Sequence, residues 1–308
     1  MKQPRIGIIG LGDIALKAYL PVLSRAEQWS LVGAFTPNEQ KRHDVCAQYR
    51  MRAYDNIKTL ADDCDALFVH SSTATHYEII KKLIYMGKDV YVDKPLAETL
   101  EQAEHLVELS EHLGRKIMVG FNRRFAPCYQ RLAEAVPTAS WMRIEKHRAD
   151  NVYAVPHLET MLDDYIHIVD LVRHLGGSQL TWNGQVNVNS EGHLIDAHHV
   201  FRTPEGKSIL CGMHRRAGMD SERVELVGDK RVVRVNNVTE WTTEENGHSY
   251  TEALGSWVSV AKARGFEDAI KHFIHCITHD EQPLTNAREA YESQALVCKL
   301  AEQTTVVK

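Results

Sequence analysis

The chain has 308 residues, 44% hydrophobic and 25% charged, which is the composition of an ordinary globular protein. This length allows two domains, because a single hydrophobic core stops growing near roughly 250–300 residues. A formal net charge of −5 argues against a nucleic-acid partner. No apolar run approaches the roughly 18 residues of a membrane span, and the N-terminus lacks a signal-peptide pattern, so we expect no membrane partner and a cytoplasmic location.

The six cysteines are scattered along the chain and include no C-x-x-C pair. This spacing argues against a zinc knuckle and against a disulfide framework. We therefore expect reduced thiols and no metal site built on cysteine.

Strand and helix patterns alternate through residues 1–121. The predicted strands are Ile6–Ile9, Leu31–Phe35, Ala66–His70, Val90–Val92 and Ile117–Val119. The predicted helices lie around Ala15–Arg25, Glu39–Arg50, His76–Tyr85 and Leu100–His112. This alternation indicates a parallel sheet with both faces covered, and ligands of such sheets bind at the carboxyl ends of the strands.

The first predicted strand ends in a Gly-x-Gly-x-x-Ala motif that opens the first predicted helix. Gly10 permits the tight turn, Gly12 lets the backbone approach a pyrophosphate, and the small Ala15 lets the helix pack close to the strand. The strand–turn–helix context favours a dinucleotide site over a simple tight turn.

The end of the second predicted strand bears on the choice between NAD and NADP. An NAD site commonly places an acidic residue here to bind the ribose hydroxyls, whereas this chain has Thr36 and Asn38. Lys41 and Arg42 follow shortly and can attract a 2′-phosphate. We therefore expect NAD(P), with a preference for NADP.

A second cluster, Asp93-Lys94-Pro95, follows the strand at Val90–Val92. A lysine at this edge of the sheet carries a mobile charge that can reach a cofactor or substrate. The alternative is a strand-end turn with a solvated lysine, and from the residues alone that alternative is the more common outcome.

A third cluster lies on a predicted helix over Glu159–Leu175, closed by Gly176 and Gly177. Asp163 and His167 are four residues apart, and Asp170 and His174 continue the same face. A carboxylate one turn from a histidine can orient the ring and stabilise its protonated form. A solvated face and a divalent metal site are the alternatives that the spacing leaves open.

Polar residues also follow the last parallel strand, where Gly120–Phe125 leads into the second half of the chain. Ligands commonly bind between domains, so Asn122 and Arg124 are candidates for ligand contact. An ordinary hinge explains the segment equally well.

Successive strand patterns dominate the second half of the chain. They are Trp141–His147, Gln185–Val188, Ala197–Phe201, Lys207–Gly212, Arg223–Val227 and Val232–Val235. We expect an open, mostly antiparallel sheet with a helix on one face. Helices are predicted again at Gly265–His279 and Ala287–Glu302. The expected domains are 1–124, with 266–308 packing back onto it, and 125–265.

Together these clusters resemble the Gfo/Idh/MocA family of NAD(P)-dependent oxidoreductases and, more narrowly, its bacterial MviM-type members. The matching elements occur in the family's order along essentially the whole chain. They are Gly10–Ala15, Asp65–Ser72 with Thr75 and His76, Gly87–Pro95 with Asp93 in place of glutamate, and Asp163 with His167. The resemblance implies an α/β fold: an N-terminal Rossmann dinucleotide-binding domain, then an α/β domain with an open, mostly antiparallel sheet.

The resemblance also implies hydride transfer between nicotinamide and a small polar hydroxyl or carbonyl compound, such as a sugar or cyclitol. It favours a catalytic role over a structural one for Lys94 and for the Asp163–His167 pair. The implied catalytic residues are Lys94, His167 and Asp163. The implied cofactor contacts are Gly10, Gly12, Asp13, Ile14, Ala15, Thr36, Asn38, Ser71, Thr73, His76, Asp93, Lys94 and Asn122. The implied substrate contacts are Arg124, His147 and Tyr165. A homo-oligomer, dimer or tetramer, is expected through the sheet of the second domain.

One residue departs from the family pattern. Tyr165 stands where the family has a glycine that leaves room beside the nicotinamide. A tyrosine there is expected to fill this space or displace the helix. This departure motivates the alternative of a catalytically inactive dinucleotide-binding sensor.

Overall fold

A computed structural model describes residues 3–25 and 27–307 of the chain. These residues form two compact units. The first unit comprises Met1–Phe121 and Phe266–Glu292, and the second comprises Asn122–Gly265 and Ser293–Lys308. The division assigns 293–308 to the second unit, whereas the sequence pattern suggested that all of 266–308 packs with the first.

The first unit contains a six-stranded parallel sheet in the order β3-β2-β1-β4-β5-β6, the doubly wound order of dinucleotide-binding folds. Its strands are β1 (Arg5–Ile9), β2 (Ser30–Phe35), β3 (Arg52–Ala53), β4 (Ala66–Val69), β5 (Asp89–Val92) and β6 (Ile117–Val119). Every residue of β4 is buried, as expected for a strand with both faces covered. The Rossmann fold predicted for this part of the chain is therefore confirmed. Strand β3, only two residues long, was missed.

The second unit contains a nine-stranded sheet in the order β14-β13-β12-β11-β7-β10-β9-β8-β15. Its strands are β7 (Ala139–His147), β8 (Thr181–Val188), β9 (Leu194–Arg202), β10 (Ser208–His214), β11 (Ser221–Gly228), β12 (Arg231–Asn236), β13 (Glu240–Glu245), β14 (His248–Ala253) and β15 (Thr304–Val306). Two strand pairs, β7 with β10 and β8 with β15, are parallel, and the others are antiparallel. The expected open, mostly antiparallel sheet is confirmed.

Eleven α-helices occur among the described residues, and most of the longer ones match the predicted positions. They are α1 (Leu20–Leu23), α2 (Glu39–Gln48), α3 (Ile57–Asp62), α4 (Thr73–Tyr85), α5 (Leu100–Leu113), α6 (Pro127–Ala135), α7 (His157–Thr160), α8 (Ile166–Gly176), α9 (Val260–Ala263), α10 (Phe266–His279) and α11 (Ala287–Ala301). Local sequence sets several ends: a capping box of Thr99 and Gln102 begins α5, and Gly114, with φ of +60°, ends it. Helix α8 packs against β7 and β10, which places it on one face of the second sheet.

Two π-helical turns interrupt the predicted helices. Ala15–Tyr19 precedes α1, and Met161–Tyr165 lies between α7 and α8. The helix predicted over Glu159–Leu175 is therefore three consecutive segments, which changes the direction of the side chains around Asp163. Insertions of this kind are frequent at functional sites.

Two general expectations can be compared with the described residues. All six cysteines are free thiols, and only Cys298 is not fully buried. Within residues 3–25 and 27–307, no helix combines the length and apolar character that crossing a membrane requires.

Candidate functional site

A glycine turn follows β1 at the carboxyl edge of the parallel sheet. Gly10 has φ of +91°, and a Cβ built there would lie 2.6 Å from the carbonyl carbon of His70 and from the amide nitrogen of Ser71. Glycine is thus required at Gly10 by both conformation and space. A Cβ on Gly12 would have its nearest neighbour, the carbonyl oxygen of His70, at 3.9 Å, so the space before Gly12 is open. This geometry suits the close approach of a pyrophosphate.

The residues after the glycines begin the first π-helical turn. Ile14 is its N-cap residue, and Ala15 is fully buried. Asp13 lies at the surface, where its carboxylate accepts a hydrogen bond from Lys17 Nζ at 2.9 Å. Ala15 therefore contributes to the packing of the core, and the Asp13 carboxylate is paired with Lys17 one turn away.

The end of β2 is held by hydrogen bonds that the sequence did not reveal. Asn38 accepts a hydrogen bond from the backbone nitrogen of Lys41 and so caps α2. The buried guanidinium of Arg42 donates to the carbonyl oxygen of Thr36 at 2.9 Å and lies 3.3 Å from Asp55 Oδ1. Arg42 therefore stabilises the strand end, and part of the positive charge expected there is offset by Asp55.

The loop after β4 carries three of the predicted cofactor contacts. Thr73 is the first residue of α4, and Ser71 Oγ accepts a hydrogen bond from Thr75 Oγ1 at 2.7 Å. The buried ring of His76 lies 3.0 Å from the carbonyl oxygen of Pro95 and 3.1 Å from that of Ser71. Burial lowers the pKa of His76. The His76 ring therefore connects the segments that follow β4 and β5, while the cofactor contact expected for His76 stays a prediction.

Asp93 and Lys94 follow β5, and the Lys94–Pro95 peptide bond is cis. Tyr19 donates a hydrogen bond to Asp93 Oδ1 at 3.3 Å, and burial raises the pKa of Asp93. A Cβ on Gly120 would lie 2.8 Å from the Tyr19 hydroxyl oxygen and 3.1 Å from Asp93 Oδ1, so only glycine fits there. Lys94 is half-buried beside this network. Asp93 thus has a role in the protein's own structure.

A buried aromatic cluster lies beneath this loop and was not predicted. The ring of His70 stacks on that of Tyr19, with centroids 3.9 Å apart. Burial lowers the pKa of His70 to about 3, so this ring is neutral near pH 7. The sequence does show His70 at the end of an apolar strand. That pattern alone does not tell whether the histidine packs in the core or takes part in catalysis.

The predicted Asp163–His167 face is divided by the π-helical turn. Asp163 is exposed and His167 is half-buried, while Asp164, between them, is 3% exposed. Asp170 is also buried, and its carboxylate accepts two hydrogen bonds from the guanidinium of Arg124, at 2.7 and 2.9 Å. The single stripe that included Asp170 is therefore wrong, because Asp170 belongs to an internal ion pair.

Two predicted substrate contacts are directed into the second unit. Tyr165 is fully buried, and its hydroxyl lies 2.8 Å from His199 Nδ1 and 3.4 Å from the carbonyl oxygen of Cys211. Arg124 is 4% exposed and paired with Asp170. Both side chains therefore have internal partners, and the substrate contacts expected for them stay predictions. Tyr165 fills space against the sheet.

Asn122 also has an internal partner. Its buried amide donates a hydrogen bond to the carbonyl oxygen of Arg264 at 2.7 Å. A Cβ on the neighbouring Gly265 would lie 2.2 Å from the carbonyl oxygen of Asn122. Asn122 therefore joins two segments of the second unit, and the cofactor contact expected for it stays a prediction.

The second unit contains a group of charges that the motifs did not indicate, all buried except the half-buried Arg148. It is here called the charged cluster: Arg123, Lys146, Arg148, Asp164, Arg215 and Glu222. Asp164 contacts all of Lys146, Arg148 and Arg215. Arg123 donates two hydrogen bonds of 2.6 Å to Glu222. The signal was present in β7, where Lys146 shares the face of the buried Met142 and Ile144.

A cavity of about 240 Å³ adjoins the charged cluster at the end of β7 and the start of β11. It is lined by Arg123, Lys146, His147, Arg148, Asp220, Ser221, Glu222, Asn237, Val238 and Arg264. His147, a predicted substrate contact, is thus at a cavity wall. Its Nδ1 accepts a hydrogen bond from the backbone of His214 at 3.1 Å, and burial lowers its pKa.

Burial and charge together shift the pKa values of the cluster. Burial, followed by repulsion from Arg123, lowers the pKa of Lys146 to about 7. Burial alone would raise the pKa of Asp164, but Arg148 and Lys146 outweigh it and hold the pKa well below its usual range. Arg123 likewise outweighs burial and lowers the pKa of Glu222 to about 2. Strong shifts beside a cavity are typical of ligand sites.

Comparison with known protein families gives two matches that together cover most of the chain. Residues 4–121 match the GFO_IDH_MocA model, described as an oxidoreductase family with an NAD-binding Rossmann fold. Residues 127–246 match the model of the YceM-like C-terminal domain. The match over 4–121 contains the glycine turn, and the match over 127–246 contains most of the charged cluster.

Individual relatives extend over nearly the full length. The Salmonella typhimurium protein named "Putative oxidoreductase YceM" is 40% identical over 96% of this chain and 97% of its own length. A Clostridium difficile dehydrogenase, MviM, has a crystal structure that matches with a TM-score of 0.95, at 40% identity, over 98% of this chain and 99% of that one. The Thermotoga maritima protein named myo-inositol 2-dehydrogenase is 27% identical over 92% of this chain and 91% of its own.

Proposed function

Because the chain belongs to the Gfo/Idh/MocA family of NAD-binding oxidoreductases, we propose that it transfers hydride between a nicotinamide cofactor and a small polar hydroxyl or carbonyl compound of the sugar or cyclitol type. The name of the Thermotoga maritima relative, a myo-inositol dehydrogenase, supports a cyclitol or a similar polyol as substrate.

The observation that carries this proposal is the glycine turn. Gly10 brings the backbone of β1 against the start of the loop after β4, and the open space before Gly12 leaves room for a bulky anion. These residues fit a dinucleotide, because a pyrophosphate must approach the backbone more closely than any side chain allows.

For the adenosine end of the cofactor we propose NADP over NAD. The strand end at Thr36–Asn38 offers no carboxylate to bind a free ribose 2′-hydroxyl or to repel a 2′-phosphate. Because Arg42 is buried and partly offset by Asp55, the preference depends chiefly on Lys41, whose side chain is half-exposed. Replacing Lys41 with glutamine is expected to weaken NADPH binding and to leave NADH binding unchanged.

When bound, the nicotinamide ring would accept or supply the hydride. We assign Lys94 to the reacting oxygen of the substrate, where its ammonium group favours developing negative charge. In the oxidation direction, His167 takes the hydroxyl proton, and Asp163 supports the protonated ring. The roles of Lys94 and His167 can be exchanged without changing the proton balance. Ser71 and Thr73 are assigned to the cofactor, and His147 to the substrate.

The position of Tyr165 removes the main reason to propose an inactive sensor. A tyrosine in place of the family's glycine suggested that the ring blocks the nicotinamide space. The ring instead packs within the second unit, bonded to His199 and to the backbone of Cys211. We therefore propose an active enzyme.

We also propose that copies of the chain associate through the face of the second sheet that α8 leaves uncovered. This face includes Val200, which is 39% exposed and lies opposite Asn183 of β8 at a cavity of about 410 Å³. An apolar side chain exposed beside a cavity on a sheet supports an interface at this face. Light scattering is expected to report a dimer or tetramer for the native chain and a smaller species for Val200→Glu.

The activity is tested by following reduced nicotinamide absorbance while the protein is mixed with NAD⁺ or NADP⁺ and a panel of polyols, sugars and their acids. Turnover of at least one compound is expected. Neither Gly12→Ala nor Gly218→Ala adds a methyl group that clashes with the fold, so both variants should fold. Gly12→Ala should lose turnover because its methyl group occupies the proposed pyrophosphate space, and Gly218→Ala should keep it. Cofactor binding without turnover of any panel member, in either direction, would contradict the proposal.

A further inference from the structure

We propose that the cavity beside the charged cluster binds an oxyanionic group of the substrate, a carboxylate or a phosphate, so that the substrate class is anionic polyols. The assignment of this group to the substrate rests on the proposed function. The binding of an oxyanion rests on the cavity alone, which lies wholly within the second unit.

Positive charge exceeds negative charge around the cavity. The cationic groups are Arg123, Lys146, Arg148, Arg215 and Arg264, and the carboxylates are Asp164, Asp220 and Glu222. Five cations against three carboxylates leave two positive charges when Lys146 is protonated. Because Lys146, Arg123 and Glu222 are each less than a tenth exposed, water does not fully screen this excess. A bound oxyanion would offset it.

The carboxylate oxygens at the cavity are already occupied. Glu222 Oε1 accepts hydrogen bonds from Arg123 Nε and from the Tyr129 hydroxyl, and Oε2 accepts from Arg123 Nη2. Asp220 Oδ1 accepts from the backbone of Ala149, and Oδ2 accepts from Arg148 Nη1. The carboxylates are therefore poorly placed to recruit a cation.

Donors at the same cavity remain available. Arg123 uses Nε and Nη2 on Glu222, and its Nη1 has no acceptor among the described residues. The exposed guanidinium of Arg264 forms no ion pair or hydrogen bond within the described part of the chain. Lys146 carries three N–H donors and contacts Asp164. Spare donors and filled acceptors favour an anion with several oxygens.

Lys146 provides a proton-linked readout of binding. Charged and titratable groups from several segments surround Lys146. Asp164 faces it from the π-helical turn, and Glu222 faces it from β11. The other groups are Arg123, Tyr129, His147, Arg148, Arg215, Asp220 and Arg264. The Lys146 pKa of about 7 reflects burial and repulsion from Arg123. An oxyanion would raise this pKa, so binding near pH 7 would take up a proton.

The chain itself connects this cavity with the proposed reaction. Asp164, which contacts Lys146 and Arg148, is the neighbour of Asp163 and lies three residues before His167. In this proposal, a substrate whose hydroxyl reaches His167 extends its oxyanionic group toward the charged cluster. The cavity volume of about 240 Å³ suits one charged group rather than a whole nucleotide.

Calorimetric titration in chloride-free buffer tests the inference with three probes: inorganic phosphate, D-gluconate and neutral myo-inositol. We expect saturable binding of phosphate or gluconate that Arg264→Gln weakens about tenfold, since a charge-assisted hydrogen bond is lost. The matched control is Arg231→Gln, another exposed arginine of the second unit that lies at a different cavity, and it should bind as the native protein does. Binding of phosphate alone or of gluconate alone identifies which oxyanion the cavity takes.

Proton uptake is measured with gluconate at pH 7 in buffers of different ionisation enthalpy. Uptake of about half a proton is expected because the pKa of Lys146 is about 7, and Lys146→Met should abolish it. Absence of saturable binding for both anions, equal loss in Arg264→Gln and Arg231→Gln, or unchanged uptake in Lys146→Met would overturn the inference.

A parallel titration with NADPH separates this inference from the proposed function. Cofactor binding without anion binding would overturn the oxyanion site and leave the oxidoreductase assignment standing. Anion binding without cofactor binding would contradict the proposed function and, with it, the assignment of the oxyanion to a substrate.

Discussion

The candidate sites of the two units are formed by different parts of the chain: backbone in the first unit and charged side chains in the second. In the first unit, glycine and backbone create open space at the end of a parallel sheet, around Gly10 and Gly12. In the second unit, buried charged side chains surround a cavity, and Asp164 alone contacts three cations. We therefore expect the first arrangement to select its ligand by shape and the second to select its ligand by charge.

This difference explains why the two sites differ in how visible they are in the sequence. A backbone site needs fixed spacing within one short segment, so it leaves a motif. A charge site is assembled from residues distant in the chain, such as Arg123 and Glu222, whose guanidinium and carboxylate meet through the fold. Cofactor binding is therefore expected to be common to many relatives, and substrate choice to depend on the second unit.

The largest expected effect comes from one catalytic variant in each unit. Lys94→Met and His167→Ala should each lower kcat/KM by about 10²- to 10⁴-fold, the usual contribution of a positioned acid or base. The affinity of His167→Ala for cofactor should change little, because His167 is not among the expected cofactor contacts. Steady-state kinetics on a substrate found in the panel measures this, with the exposed Lys58→Met as control. Near-normal turnover in both variants would contradict the assigned roles.

The second prediction concerns the charged cluster. Asp164→Asn keeps the shape of the side chain but leaves Lys146, Arg148 and Arg215 around a neutral amide. We expect a loss of about 3–5 kcal/mol in the free energy of unfolding, typical of a broken buried ion pair. Urea denaturation measures the loss against Asp150→Asn, whose carboxylate is 90% exposed. Equal free energies of unfolding for the two variants would show that the ion pairs of Asp164 contribute little to stability.

The third prediction compares the two glycines of the turn. Gly10→Ala should lower the free energy of unfolding by about 2–3 kcal/mol, because it forces a positive φ on alanine and places Cβ against the His70 backbone. Gly12→Ala should cost much less, since its Cβ enters open space. Urea titration of both variants tests the comparison, and similar losses would mean that the space before Gly12 is needed by the fold itself.

The smallest expected effect is a pH dependence that originates from Lys146. Its pKa is about 7 in the folded protein and about 10.5 when unfolded, so the unfolded chain binds the extra proton between these values. The contribution of Lys146 to stability therefore rises with pH from 7 upward, by about 2 kcal/mol between pH 7 and pH 9. The difference between native protein and Lys146→Met, measured across this range, should change by that amount. A constant difference would place the Lys146 pKa near its ordinary value.

Local patterns predicted much of the fold. Buried strands such as β4 are continuous apolar runs, and α8 ends at the predicted glycines. Strands β13 and β14 were missed because their residues are mostly polar, and β14 is an exposed strand with no apolar face to recognise. The π-helical turns were missed because a helical repeat in the sequence does not reveal an inserted residue.

The candidate site was predictable where it depends on local backbone. Gly10 and Gly12 lie where the motif implied, whereas His76, Tyr165 and Arg124 have the right chemistry but internal partners. Whether a polar side chain faces a ligand or a carbonyl depends on segments far away in the chain. Spacing alone does not carry that information.

The central claim, that the glycine turn of the first unit binds a nicotinamide dinucleotide, is tested most directly by fluorescence titration with NADPH and NADH. The native protein and Gly218→Ala should bind at least one of them saturably, with NADPH preferred, and Gly12→Ala should bind at least tenfold more weakly while remaining folded. Failure of the folded native protein to bind either dinucleotide, or equal binding by Gly12→Ala, would contradict the account.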